Sequence, residues 1–418
     1  MKDFQVFPLL DSALLSSEES IPYASKSPAV WPSEASAVRT DKSLWNNVGK
    51  CHRAAYYRMM GFNVTNPVGA PMCWRWVTGR QIESHLTELT KLTTPKIYVA
   101  HGVKLWVADL AVSLEIDVVT RDPESGRGCI IECKTYYGYN AAKEIVKEGH
   151  PKPENLMQVC LYLAEVRTGK RLKELIHQSL AERVRLDDIG IPHRYRCEAD
   201  LEMVDKLDDG PVSAKLTYIS RDDCQRTEFN IEIGEDFDGS HYPVVNGLPY
   251  KLFCIESIYS RYETLQGYWF RSRGEAVRRL AQRGVLAPEH LQLILDRRDI
   301  TAEKDGPVVH LTAVEKKAEV EYLHLLEEEV RNLPMEFLPP CEYEWSYSPG
   351  RVEQLFEAGA VGKTNYAKYQ KGTLDRLGDF NCNYCSYLNE CLKTQRPDLV
   401  YQIADLNNVS DDVEVAFG

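Results

Sequence analysis

Asp117, Glu132 and Lys134 have the types and spacing to hold a metal ion against a phosphate group. They lie in Leu114–Tyr137, LEIDVVTRDPESGRGCIIECKTYY, where two apolar runs flank a turn-rich insert from Arg121 to Gly128. That arrangement predicts an antiparallel hairpin. Strands alternate their side chains, so Glu132 and Lys134 share one face of the second run, and Glu115 and Asp117 share one face of the first. In a hairpin roughly symmetric about its turn, Asp117 lies across the ladder from Glu132. Carboxylates that close repel unless a cation sits between them. A hard divalent ion with oxygen ligands, Mg²⁺ or Mn²⁺, is the natural occupant. Lys134 would then orient or deprotonate a water, or neutralise charge on a phosphate. An isolated D…ExK is more often a surface hairpin with a cross-strand Glu–Lys pair, but the apolar runs on both sides argue against a solvated face.

A second group is built of sulfur. Cys382-Asn383-Tyr384-Cys385 is followed by Cys391, so three of the chain's 12 cysteines fall within ten positions. Such dispersed cysteines do not make a small secreted disulfide framework, and in a reducing compartment they read as thiols or metal ligands. Three close thiolates predict a metal or cluster site that takes its fourth ligand from elsewhere. Cys51, followed by basic and aromatic residues, is the best donor; Cys341 and Cys73 are weaker candidates. Spacing alone leaves zinc and an iron–sulfur cluster both open.

The elements that must position these groups are read from periodicity. Residues up to about Thr40 are rich in Ser, Pro and Ala and read as an arm. A helix is expected from Ser43, with Leu44, Val48, Cys51, Ala55 and Met59 on its apolar side. A second helix, Trp74–Leu92, carries Glu83 and His85, which are two residues apart and point in different directions. A strand over Ile97–Trp106 leads into the hairpin. The break Gly149–Glu154 precedes a helix in which Gln158 and Tyr162 are neighbours on one face. Arg171–Arg185 reads as a charged helix, and Lys215–Ser220 and Glu228–Ile233 as strands. Glu235–Pro249 is the softest boundary. Ile255–Gly284 is helical and increasingly basic, with Arg271, Arg273, Arg278, Arg279 and Arg283 followed by Arg297 and Arg298. Thr312–Leu333 reads as an acidic helix with a solvated face.

Composition sets the outer bounds. A chain of 418 residues with net charge −12 is large enough for two domains and too acidic to coat nucleic acid nonspecifically. A local channel neutralised by metal ions remains compatible with that charge. No apolar run is long enough to span a bilayer, and no basic region followed by an apolar core opens the chain. A cytoplasmic protein with no membrane partner is therefore expected.

In this order the motifs resemble the RecB-like branch of the PD-(D/E)xK nuclease superfamily, specifically its iron–sulfur members, among them CRISPR-associated exonucleases. Those proteins carry one cysteine before the nuclease core and C-x₂-C-x₅-C after it; here Cys51, Cys382, Cys385 and Cys391 stand in those places. Asp117 matches the acidic residue, Glu132-Cys133-Lys134 the ExK, and Gln158-x₃-Tyr162 the QxxxY motif associated with DNA contact. Family members commonly place a metal-binding histidine four residues after a glycine. Counted from Gly79 that place holds Glu83, with His85 offset by two, and Glu83 is favoured. The resemblance covers Ser43–Tyr162 and Pro339–Lys393.

It implies an α/β restriction-endonuclease-like core, a central mixed sheet flanked by helices, with a helical insertion and a C-terminal iron–sulfur module. The expected division is an arm over 1–40, the core with its cluster-ligand helix over 41–235, a mainly helical insertion over 236–338, and the cluster module and tail over 339–418. A [4Fe–4S] cluster would tie the two ends of the chain together, on the scale of ~5 kcal/mol by analogy with a long-loop disulfide. The implied activity is a metal-dependent exonuclease acting on linear DNA, single- or double-stranded, in recombination, CRISPR adaptation or repair. Asp117 and Glu132, with Glu83 or His85, would hold Mg²⁺ or Mn²⁺, and Gln158 and Tyr162 would hold the strand. No G-x₄-GK[ST] phosphate loop is present, so unwinding would need a helicase or recombination partner. The rival expectation is a noncatalytic iron–sulfur or zinc DNA-binding scaffold with a vestigial core.

Overall fold

The structure, a computed structural model, describes residues 10, 14, 30–41, 47–62, 64–66, 69–107, 112–188, 197–285, 325–374, 376–379, 382 and 385–395. The strands are β1 (Ser36–Val38), β2 (Asn47–Gly49), β3 (Tyr98–Val107), β4 (Val112–Arg121), β5 (Gly128–Tyr136), β6 (Glu198–Ala199), β7 (Ser213–Ser220), β8 (Arg226–Glu235), β9 (His241–Val245) and β10 (Leu248–Pro249). The main helices are α1 (His52–Met59), α2 (Ala70–Lys91), α3 (Pro153–Val166), α4 (Gly169–Asp188), α5 (Ile255–Gln282), α6 (Pro349–Glu357), α7 (Lys363–Gln370) and α8 (Leu388–Gln395). They divide into two compact units. The sheet unit is Ala29–Gly49 with Pro71–Glu263, and the thiol unit includes Lys50–Ala70 and the described residues from Thr264 onward.

The sheet unit is α/β, with an eight-stranded mixed sheet ordered β10-β9-β8-β7-β5-β4-β3-β6 and flanked by helices. Only β5 and β7 run parallel; the other neighbours are antiparallel. Parallel neighbours need a crossover, and α3 and α4 lie within it. Pro153 opens α3, where its missing N–H costs nothing. Leu156, Met157, Val159, Cys160, Leu161, Leu163 and Val166 bury that helix, which packs on β7 and β8, while α4 packs on β3. The hairpin turn closes as its composition requires. Asp122 accepts from Glu124 N and Ser125 Oγ, and Gly126 takes the left-handed conformation at φ 78°.

Several expectations need correction. The stretch before Thr40 is not an arm over its last ten residues: Val30, Ala35 and Ala37 are fully buried, Val30 bridges Val112, and β1 pairs with β2. The helix expected from Ser43 begins only at His52, because Asn47–Gly49 is the strand β2. Cys51 therefore occupies the N-cap rather than an apolar helix face. Glu235–Pro249 is no boundary, since β9 and β10 continue the sheet there.

The basic run of α5 is locally compensated. Arg278 and Arg279 pair with Glu275, and Arg283 pairs with Glu329, which is buried rather than solvated. Arg297, Arg298 and positions 312–324 of the acidic helix lie outside the described residues. No helix among the described residues is long and apolar enough to cross a membrane.

Candidate functional site

The carboxylate site forms where β4 and β5 part. Their ladder runs Arg121↔Gly128, Thr120↔Cys129, Val119↔Ile130 and Val118↔Ile131, and the next rung is Asp117 and Glu132. There β4 stays with β3, and β5 stays with β7 as far as Tyr136↔Ser220. The Asp117 side chain enters the opening, its Oδ2 accepting the Cys133 N–H at 3.0 Å. Backbone left unpaired by the divergence is thus satisfied by a carboxylate, which fixes where that carboxylate points.

Glu132 is fully buried, and neither of its oxygens has a hydrogen bond of ordinary geometry. Lys134 Nζ stands 2.5 Å from Oε1 as an ion-pair contact, and the Asp117 carboxyl is near enough to share a proton with Glu132. From α2, Glu83 joins them. Burial, and then the Asp117 charge, push the carboxyls of both Glu83 and Glu132 up to about 8. Burial also raises Asp117. Burial acts to lower Lys134, but the carboxylates of Glu132 and Asp117 outweigh it and hold the ammonium charged. Three carboxyls facing one ammonium are short of positive charge.

His85 is exposed on α2, whereas Glu83 faces the carboxylates. Of the two ligand candidates the fold brings only Glu83 to the site. Tyr162 is fully buried, donating to Glu115 O on the divergent part of β4 at 2.7 Å, and Gln158 Nε2 donates to its hydroxyl at 2.6 Å. As placed, this pair braces β4 and is not open to a ligand.

The thiol unit gathers five cysteines. Cys51 enters from the start of α1, Cys382 and Cys385 from a turn in which Cys385 N donates to Cys382 O, and Cys391 from the first turn of α8, its N–H donating to Tyr387 O. Cys341 lies between Cys51 and Cys391, hydrogen-bonded to both thiols, and its Sγ also lies 3.1 Å from Tyr343 O. By sequence it is a weaker candidate because no spacing motif flags it. Cys73, the other alternative, belongs to the sheet unit.

The two chain segments are also laced by protein bonds. Thr65 N and Asn66 N donate to Ser386 O, and Arg53 Nε donates to Pro339 O at 2.7 Å. Four of the thiols are raised. The bond to Cys341 and burial raise Cys51, the bond to Cys391 takes Cys341 to about 11, and burial followed by Cys51 takes Cys385 to about 12 and lifts Cys382. Thiols raised this way stay protonated near neutral pH, and a metal or cluster bound there would displace those protons.

Two donor sets therefore fit the groups expected of them in chemistry: oxygen with one ammonium, and sulfur alone. Among the described residues, no three His, Cys, Asp or Glu side chains are gathered closely enough to hold a single ion as placed. At the carboxylate site Lys134 takes up one Glu132 oxygen, so ligation there requires the ammonium to swing aside. No family model, curated protein or solved structure matches the chain.

Proposed function

We propose that the sheet unit is a divalent-cation-dependent nuclease acting on DNA, built on a PD-(D/E)xK restriction-endonuclease-like core. The observation that carries this reading is Glu132, a fully buried carboxyl whose one close cation is Lys134, set beside two further carboxyls, Asp117 and Glu83. Burying such a group costs several kcal/mol unless something compensates it. One ammonium against three carboxyls leaves room for a further cation, which would offset that cost. The mixed sheet, with a hairpin followed by a parallel neighbour, is the scaffold such a core requires.

Asp117, Glu132 and Glu83 would hold Mg²⁺ or Mn²⁺, which when bound polarises a phosphodiester and acidifies a water. Lys134 would then be free to donate to the attacking water or to phosphate oxygens. The Asp117–Cys133 bond fixes the ligand carboxylate, and Tyr162 with Gln158 keeps β4 from closing on β5. Action at DNA ends rests on the resemblance to the iron–sulfur nucleases.

In the thiol unit, Cys51, Cys382, Cys385 and Cys391 would hold a structural [4Fe–4S] cluster, with Cys341 as a fifth thiol against it. Reduced sulfur at that position fits a cytoplasmic setting. The test is incubation of the purified protein with end-labelled linear DNA and Mn²⁺. Cleavage by the wild type and none by Lys134→Ala is expected; cleavage surviving that substitution rejects the mechanism.

A further inference from the structure

One stripe of α2 connects the carboxylate site to a second cluster of functional groups. Glu83, Gly79 and Arg75 are spaced four residues apart and so lie on one helix face. Glu83 meets the carboxylates, Gly79 lies against Thr135 on β5, where an added Cβ would stand 3.4 Å from Oγ1, and the Arg75 guanidinium lies 5.4 Å from the centre of the Tyr137 ring. Helix and strand thus run past one another in opposite directions. Glu83 to Arg75 spans about 12 Å of helix, and Lys134 to Tyr137 about 10 Å of extended chain.

Tyr137 is 58% exposed, and a second guanidinium, Arg221, lies 5.9 Å from its ring centre. Arg221 follows the last rung of the parallel ladder, where its N–H donates to Tyr136 O, so β5 and β7 deliver the ring and the cation side by side. Its Nη1 donates to Arg75 O at 3.2 Å, while its Nε is buried with no hydrogen-bond partner. Among the described residues neither arginine has an ion-pair partner. Asp222, next in sequence to Arg221, acts on its guanidinium through charge, and its Oδ2 accepts the Gly138 N–H at 2.9 Å. Two guanidiniums without a direct ion pair, beside an exposed aromatic ring, leave room for an anion and offer a flat face.

We propose that Tyr137, Arg75 and Arg221 form a platform for one unpaired nucleotide of the substrate strand, the ring stacking on its base and the two guanidiniums taking flanking phosphates. Stacking needs a base free of its partner, so the strand is single as it passes this point, with no preference among bases. The α2–β5 track then leads the same strand to Glu83, Asp117 and Glu132. This last step rests on the proposed nuclease; binding at the platform does not.

The test is fluorescence anisotropy of the full chain with a fluorescein-labelled oligothymidylate in EDTA, where cleavage is silent. Tyr137→Ala weakens binding about tenfold, the scale of removing one base–aromatic stack, while Tyr137→Phe keeps the wild-type value. Binding of a blunt duplex of equal length is unchanged by Tyr137→Ala. Replacing both Arg75 and Arg221 by Gln lowers the slope of log affinity on log salt by about 1.4, or about 0.7 for each phosphate no longer neutralised. Tyr137 and Arg75 are exposed and Arg221 is half-buried, so melting curves check that the variants are folded. Equal oligothymidylate affinity for wild type and Tyr137→Ala overturns the platform, even where Mn²⁺-dependent cleavage upholds the nuclease. Affinity that depends on Tyr137 with no cleavage by the wild type upholds the platform and removes the nuclease.

Discussion

The two donor clusters are both buried gatherings of acids, yet they handle their charge in opposite ways. The carboxylate site has its own ammonium, Lys134, whose side chain keeps 28% of its exposure, so its charge balance can shift as a cation or phosphate arrives. The thiols have chiefly one another, with the Arg53 guanidinium acting on Cys341. A site with an internal counter-charge suits an exchangeable ion. A site that relies on its own thiols suits a group that stays. The difference fits the proposed working centre and the proposed fastening, and it also sorts the residues by distance along the chain. The carboxylate side chains come from positions 83 to 132, and the thiols from positions 51 to 391.

Breaking the working centre has the largest expected effect. Glu132→Gln or Lys134→Ala lowers Mn²⁺-dependent cleavage by at least about 100-fold, the scale of removing one preorganised charged group, and Glu132→Gln, which keeps the side chain's size and removes its charge, does so with little change in melting temperature. His85→Ala, remote from the carboxylates, leaves cleavage within about twofold, since exposed substitutions away from a site are usually near neutral. Parity between Glu83→Gln and His85→Ala in a cleavage assay would contradict the geometry.

Breaking the fastening shows the reverse pattern. Cys385→Ser, or removal of iron by a chelator, abolishes absorption near ~400 nm and destabilises the thiol unit by about 2–5 kcal/mol, by analogy with loss of a long-loop cross-link. Cys341→Ser keeps the absorption, because Cys341 stands outside the proposed four-ligand set. Bleaching on Cys341→Ser, with Cys51→Ser still brown, would exchange the roles of those two residues.

The hairpin and its site were legible because period-two alternation and a Pro-Glu-Ser-Gly turn fix register locally, down to the Asp117–Glu132 rung. That the ladder opens at that rung was not legible, since it depends on β7 and β3 competing for the two strands. β1 and β2, at three residues each, are too short to show a period, and β2 passed for a helical turn. β9 was hidden among Asp, Gly and Ser; its Pro243 is tolerated because only the two-residue β10 lies beyond it. Cys341 has no spacing partner, so only the fold could bring it to Cys51 and Cys391.

The pH dependence sharpens the comparison at smaller amplitude. Glu83 and Glu132 are raised to about 8 when folded, so the cation-free folded state binds more protons than the unfolded chain above pH ~4.5. Stability without cation therefore falls as pH rises from about 4.5 to 8. Cation binding needs both groups ionised, so the rise in melting temperature on adding Mn²⁺ grows through the same window. A Mn²⁺ stabilisation that is flat from pH 6 to 9, measured calorimetrically, would oppose this. Smallest of all, Tyr162→Phe removes the hydroxyl bond to Glu115 O and costs about 1 kcal/mol in denaturant unfolding.

Direct titration of Mn²⁺ into the protein at pH 8, followed by the electron paramagnetic resonance of the free ion, tests whether the buried carboxyls form a cation site. One Mn²⁺ taken up per chain, lost in Glu132→Gln and in Glu83→Gln and kept in His85→Ala, is the result expected. No uptake by the wild type, or uptake indifferent to Glu132→Gln, would contradict it.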